Sequence, residues 1–291
     1  MLPTFNLGPW QVNTYGAMVG LAALVVGIYA FHRLRQLGLP TSVIIRGGAP
    51  IFLGGLVGGI VAYYMPRLPH LLRTGTLGQG EGPSIVWGVV GAGVVAVISC
   101  WWYKVPLGRA FDLGGLPCPL GQAIARLGCL AAGCCYGLTT DSWLGVNLRN
   151  VHGEWAVRYP TQLLHSAANL LIFFVLLAVE RYGQRRSALA PTPRPVGHPP
   201  PPLPTLGEGE GGRGGGGEGW PFDGFIFLLF IALFFLQRFV IAFFRAEPAP
   251  MLGPFSTMHL QAVAGMAVAT ALILWNLYRS ATRAGTASRA Q

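Results

Sequence analysis

Charge is what this sequence has least of. Asp, Glu, Lys and Arg together make up 10% of its 291 residues, where a soluble domain carries about 25%. So little charge excludes an ordinary water-soluble globule. No Lys or Arg precedes Thr14, so residues 1–31 lack the basic start of a cleaved signal peptide and are expected to remain in the protein. No basic-aromatic patch suggests nucleic acid, and none is expected as a partner. With five cysteines, no second Cys/His cluster has zinc spacing, and no structural metal or cofactor is expected. No inverted repeat points to a transporter.

What the chain has instead is long apolar runs of spanning length. They cover Thr14 to Phe31, about Ala49 to Tyr64, Ser84 to Tyr103, Leu116 to Tyr136, Leu163 to Val179, Phe225 to Phe244 and Phe255 to Leu277. The expected fold is therefore an all-α integral membrane protein of about seven transmembrane helices. Spans one to five fill residues 1–186 and spans six and seven fill 220–278, followed by a tail, 279–291. Between them, residues 187–219 are Pro-rich and then Gly/Glu-rich, with little to bury, and read as a disordered linker. Arginines cluster after span one, around Lys104 and Arg109, in "ERYGQRR" and in the tail. By the positive-inside rule the N-terminus lies outside and the C-terminus in the cytoplasm, with Arg67 and Arg73 against the trend.

Two arginines fall within apolar runs: Arg126 in "IARLGCLAAGCCYGLTT" and Arg238 in "FFLQRFVIAFFRAE". A charge at that depth costs about 2.5–3.5 kcal/mol even on the lenient insertion scale, so by default it faces a cavity or a partner. Neither run supplies an acid, and Asp223 lies about four helical turns from Arg238. The abundant anion in a membrane is a lipid phosphate, which guanidinium grips bidentately. Arg245, at the end of its run, either joins that site or snorkels to the interface. On a continuous helix Arg126, Cys129, Gly133 and Gly137 share a face, with Cys134 at its edge and Cys135 opposite. The thiols admit three readings: packing residues of the cavity wall, a Cys129–Cys134 disulfide, or a chemically active thiol, for which Cys134 is the candidate.

The motif "ARLGCLAAGCCYGLTT" followed by "RYPTQLLHSA" resembles the signature of the prolipoprotein diacylglyceryl transferase family, in particular its cysteine-bearing branch. "TYGAMVGL", "WGVVGA" and "QRFVIAFFRAEPAPMLGPFSTMHLQ" are similar to further family segments. The resemblance covers most of the chain except the linker. It implies a seven-span enzyme of the bacterial inner membrane that takes phosphatidylglycerol, a membrane lipid, as donor. The diacylglyceryl group goes to the lipobox cysteine of a preprolipoprotein. By position, Arg126 and Arg238 would hold the departing phosphate, with Cys134 and His165 as further catalytic candidates. Tyr15, Gly128, Cys129, Gly133, Gly137, Gln162, Arg245 and Gln261 would bind substrate.

The departures weigh on activity. Trp87, Val89, Cys129, Cys134, Phe234 and Ala242 stand where many members carry histidine, glycine, asparagine, glutamate, tyrosine and glutamate. Several proton acceptors are thereby lost, leaving His165 and His259 as alternatives. Two functions follow: a diacylglyceryl transferase, or a non-catalytic relative that binds an anionic headgroup and scaffolds other membrane proteins.

Overall fold

The structure, a computed structural model, describes residues 4–36, 40–75, 85–103, 106–150, 153–189, 221–246, 250–253 and 255–289. All seven apolar runs are helical over most of their length. Among the described residues five helices are long and apolar enough to cross a membrane: Thr14–Gln36, Ile44–Ala62, Thr161–Arg185, Phe225–Ala242 and Thr257–Thr282. Large apolar side chains on them face outward, such as Phe174 at 60% and Leu274 at 60% exposure. Hydrocarbon covers such a surface at no cost; water does not. Most of the expected linker, from residue 190 onward, lies outside the described residues. Helix α9 (Thr257–Arg289) continues into the expected tail, through residues 279–289.

The chain divides into two compact units. The smaller comprises residues 31–107 together with 197–211, and its core is α2 (Thr41–Tyr64) against α4 (Ile85–Trp102). A 3-10 turn (Met65–Arg67) and the short α3 (Leu68–Thr74) follow α2. Glycines make the α2–α4 seam. A β-carbon on Gly58 would lie 2.5 Å from the Trp87 carbonyl oxygen and 3.0 Å from Gly91 Cα, and one on Gly91 would collide with the Gly54 carbonyl. Between lipid-exposed helices this close backbone approach replaces the hydrophobic effect as the source of contact energy. "WGVVGA" thus has a packing reason for its glycines.

The larger unit comprises residues 1–30, 108–196 and 212–291. It opens with an antiparallel hairpin, β1 (Thr4–Leu7) and β2 (Trp10–Asn13), that leads into α1 (Thr14–Gln36). Then come α5 (Leu107–Gly115), α6 (Cys118–Ala132), the hairpin β3 (Val146–Arg149) and β4 (Trp155–Arg158), α7 (Thr161–Leu189) and α8 (Phe225–Ala242). A last short hairpin, β5 (Pro250–Leu252) and β6 (Phe255–Ser256), precedes α9. Leu116, Ile172, Leu176, Ile226 and Phe230 form the apolar core where α7 and α8 meet the α5–α6 turn.

Polar links are buried in this unit. Ser166 Oγ donates to the Ala123 carbonyl (2.9 Å), tying α7 to α6, and Gln237 Nε2 donates to Asn169 Oδ1 (3.0 Å), tying α8 to α7. Asp112 caps α8 from another helix, its two oxygens accepting the Gly224 and Phe227 amides at 2.7 and 2.9 Å. It thereby satisfies two of the four N–H groups that a helix start leaves without partners.

The expected fourth span is the main departure. Instead of running from Leu116 to Tyr136, α6 is 15 residues long. It stops at Gly133, whose left-handed backbone (φ 74°) lets its amide bond the Leu130 carbonyl while the Cys134 amide bonds that of Cys129. A glycine just past the last helical turn is the usual means of such a stop.

Candidate functional site at the end of helix α6

Stopping the helix redirects everything after it. Cys135 adopts φ 60° and is the one non-glycine residue with a left-handed backbone among the described residues. Such a conformation costs an L-residue about 1–2 kcal/mol. Two fully buried side chains at the start of α7 hold it there. Thr161 Oγ1 donates to the Cys135 carbonyl (2.7 Å) and Gln162 Nε2 to the Cys134 carbonyl (2.8 Å). The placement of Cys135 opposite its fellow cysteines, expected for a continuous helix, is therefore overturned. The sulfurs of Cys129, Cys134 and Cys135 all lie within 4.8 Å of one another. Cys129 is buried, the other two are half-buried, and all three are unbridged.

Beyond the thiols the chain becomes the middle strand of a small crossing. The Leu138 amide bonds the Phe244 carbonyl (2.9 Å) while its own carbonyl accepts the Tyr159 amide (3.0 Å), and Gly137 pairs with Arg245. Gly137 has no alternative, since a β-carbon there would strike the Tyr159 carbonyl and lie 2.8 Å from that of Phe244. Gly128 is similarly constrained: its β-carbon would lie 2.9 Å from Met18 Cβ and 3.4 Å from Tyr15 Cα, so it lets α1 close on α6.

These contacts bring most of the expected site residues together. Arg126, one turn before Cys129 on α6, lies within electrostatic reach of buried His165 on α7, as do Arg238 and Arg245. Arg238 in turn feels Arg126 and Arg245, and Tyr15 feels Arg126 and all three cysteines. Arg245, whose backbone pairs with Gly137, thus lies within electrostatic reach of His165 and Arg238. Asp223 pairs with Arg109 at 3.3 Å, which removes it as a partner for Arg238. Among the described residues no carboxylate pairs with Arg126 or Arg238; such cations repel one another, and an anion between them reverses the sign of that energy.

Two expected residues stand apart. Gln261 is exposed on α9 and makes no hydrogen bond among the described residues. His259 is 2% exposed, but its Nδ1 accepts the Ser256 amide (3.0 Å), and Phe239, Phe243 and Phe255 pack around its ring. That is the setting of a structural histidine at a helix start. His165 is 3% exposed, with Nδ1 unbonded among the described residues. Sequence reasoning missed Thr161 and Cys135 as shapers of the site. The Thr-Gln pair directly after a proline, which marks a helix start, was the available signal.

The profile of the family described as prolipoprotein diacylglyceryl transferase matches residues 3–191. Among similar proteins, the phosphatidylglycerol–prolipoprotein diacylglyceryl transferase of Clostridium tetani is 26% identical over 190 residues, 62% of this chain and 74% of its own. That of Dehalococcoides mccartyi strain BAV1 is 24% identical over 276 residues, covering 94% of this chain and 92% of the other. The Parasynechococcus marenigrum enzyme is 29% identical over 190 residues, 62% of this chain and 68% of the other. The profile match spans the α6 stop, the thiols and the start of α7, and the chain belongs to the prolipoprotein diacylglyceryl transferase family.

Proposed function

We propose that this protein transfers the diacylglyceryl group of phosphatidylglycerol to the lipobox cysteine thiol of secreted preprolipoproteins. The observation that carries the reading is the convergence of Arg126, Arg238 and Arg245, from three separate segments, around His165 with no carboxylate partner for Arg126 or Arg238 among the described residues. Their common ligand is the lipid phosphate, with Tyr15, Gly128, Cys129, Gly133, Gly137 and Gln162 forming or holding the surrounding wall.

In the reaction the acceptor sulfur attacks the glycerol carbon that bears the phosphate. A carbon–sulfur bond forms as the carbon–oxygen bond breaks, and the electron pair leaves with glycerol phosphate. Negative charge grows on the departing phosphate, where fixed guanidiniums in a water-poor site stabilise it more than they stabilise the diester. The acceptor is translocated, so the arginine end of α8 faces the outside of the bacterial inner membrane, with the N-terminus outside and the C-terminus cytoplasmic.

The test is transfer of labelled diacylglyceryl from phosphatidylglycerol to a lipobox peptide by the purified protein in lipid nanodiscs, together with rescue of a strain depleted of its own transferase. Transfer and rescue are expected. Phosphatidylglycerol binding without either would reduce the protein to a headgroup-binding relative.

A further inference from the structure

The acceptor thiol must lose its proton before it can attack, because the thiolate is the nucleophile. Among the described residues no carboxylate stands beside Arg126 or Arg238 to take that proton. Immediately beside these arginines, however, three protein thiols converge. The geometry points to Cys129, Cys134 and Cys135 as a three-thiolate site for a thiophilic divalent cation of the zinc class, whose open fourth position receives the acceptor cysteine as thiolate. The inference rests on the transferase reading for the identity of that fourth ligand, but not for the metal site itself.

Spacing supports it. A zinc–sulfur bond of about 2.3 Å places tetrahedral sulfurs about 3.8 Å apart. The three sulfurs already lie within 4.8 Å of one another, so side-chain rotations of about 1 Å complete the site. The backbone is arranged to the same end. Without the stop at Gly133 and the strained Cys135, the third sulfur would point away along the helix, and Thr161 and Gln162 hold the arrangement from α7. Among the described residues no fourth Cys, His, Asp or Glu joins the group. Three protein ligands and one open position are the pattern of a catalytic zinc, whereas structural sites are closed by four. The half-buried Cys134 and Cys135 leave the open side approachable.

Charge also fits. Three thiolates and one divalent cation carry a single negative charge, which rises to two when the acceptor binds. Arg126 and Arg245 lie within electrostatic reach of Cys135 and offset it. The step balances without any change of oxidation state. The acceptor thiol binds the cation and releases its proton to solvent, since a coordinated thiol is deprotonated outright. The bound sulfur then attacks the glycerol carbon, the electron pair of the broken carbon–oxygen bond leaves on the phosphate, and the neutral thioether product dissociates from the metal. A covalent relay through Cys134 would instead store the lipid as an alkyl thioether, whose carbon–sulfur bond a second thiol has no means of breaking.

The experiment uses the full chain, carrying an affinity tag without histidine, reduced, stripped of metal and held in phosphatidylglycerol nanodiscs. Cobalt(II) and zinc(II) are the probes. One cobalt per chain is expected, with thiolate-to-cobalt absorption that grows by about a third when a lipobox peptide adds a fourth sulfur. The same peptide with serine in place of its cysteine should leave the spectrum unchanged. Cys129→Ser, Cys134→Ser and Cys135→Ser should each lose the tight site, and Cys118→Ser should keep it. Transfer should vanish on chelation and return with zinc. No cobalt uptake by the wild type, undiminished transfer by the metal-free protein, or a disulfide between any two of the three cysteines in the isolated protein overturns the inference. A peptide thiol that ligates the metal in a protein that transfers nothing supports the site and sinks the transferase reading instead.

Discussion

Replacing Thr161 by valine is the sharpest test of how the α6–α7 junction is held. The side chain is fully buried, and valine matches its shape, so the change reduces to the bond from Oγ1 to the Cys135 carbonyl (2.7 Å). Leaving a buried acceptor without its partner costs about 1–3 kcal/mol. The left-handed backbone at Cys135 costs about 1–2 kcal/mol in the other direction. Two buried bonds, from Thr161 and Gln162, outweigh that strain; one alone is comparable to it. In Thr161→Val the open form of the loop should therefore rise by about 5- to 150-fold at an unchanged overall fold. Alkylation of Cys135 in reduced, chelator-treated protein reads this directly by mass spectrometry, with Cys118, whose sulfur bonds the Gly114 carbonyl, as internal reference. Diacylglyceryl transfer should fall in parallel. Cys135→Gly added to Thr161→Val should recover about 1 kcal/mol of thermal stability, because glycine adopts that backbone without strain. An alkylation rate at Cys135 indistinguishable from wild type, with transfer intact, would refute the clamp.

Arg126→Ala and Arg238→Ala should each reduce transfer by about 150-fold, the equivalent of about 3 kcal/mol of transition-state stabilisation, with lysine a poor substitute at either position; Arg245→Ala should show a loss of the same order in the same radiolabel assay. Gly91→Leu should break the α2–α4 seam, measured as loss of a cysteine crosslink engineered between those helices, whereas Gly93→Leu should not, because a β-carbon at Gly93 meets nothing. A reporter active only outside the cytoplasm should be active when fused after Gly153 and silent when fused within 187–219; the reverse pattern would invert the proposed orientation. Burial raises the Asp112 carboxyl above the ordinary carboxylate value, against the lowering pull of the Phe227 and Gly224 amides. The folded protein therefore holds that proton more tightly than the unfolded chain does. Its contribution is fully present below the ordinary carboxylate pKa and is lost as pH rises through the folded value. Asp112→Asn should flatten that part of the pH–stability curve measured by thermal melting.

The helices were legible because hydrophobicity is a local property: each apolar run contains the residues that make it a helix. The end of α6 was less so. Gly133 is one of several glycines in "LGCLAAGCCYG", and nothing in composition distinguishes the one that adopts φ 74° from those that stay helical. A helical wheel carried past it put Cys135 on the wrong side. The left-handed Cys135 is harder still, since that backbone favours glycine and asparagine over cysteine and is enforced from Thr161, 26 residues later. Arg126 and Arg238 were identified because a charge in an apolar run is conspicuous in one dimension. Arg245 was ambiguous because its place depends on pairing with Gly137, a contact between distant parts of the chain. The three hairpins were missed for want of length, each strand having four residues or fewer.

The shortness of α6 also bears on the lipid around it. Fifteen residues rise about 22 Å, against roughly 30 Å of hydrocarbon, while its neighbour α7 offers a 25-residue apolar length. Non-helical backbone at membrane depth persists only where protein or a water-filled recess surrounds it; here the buried Thr161 and Gln162 and the crossing of Leu138 with Tyr159 and Phe244 supply protein around the end of α6. Acyl chains bordering so short a helix would thin or tilt to match it, at a fraction of a kcal/mol per Å of mismatch. Such thinning would bring a lipid phosphate nearer to the guanidiniums. Bilayers of shorter-chain lipids should therefore hold headgroups closer to the reactive depth than long-chain ones. The protein's turnover becomes a function of membrane thickness as well as of headgroup chemistry.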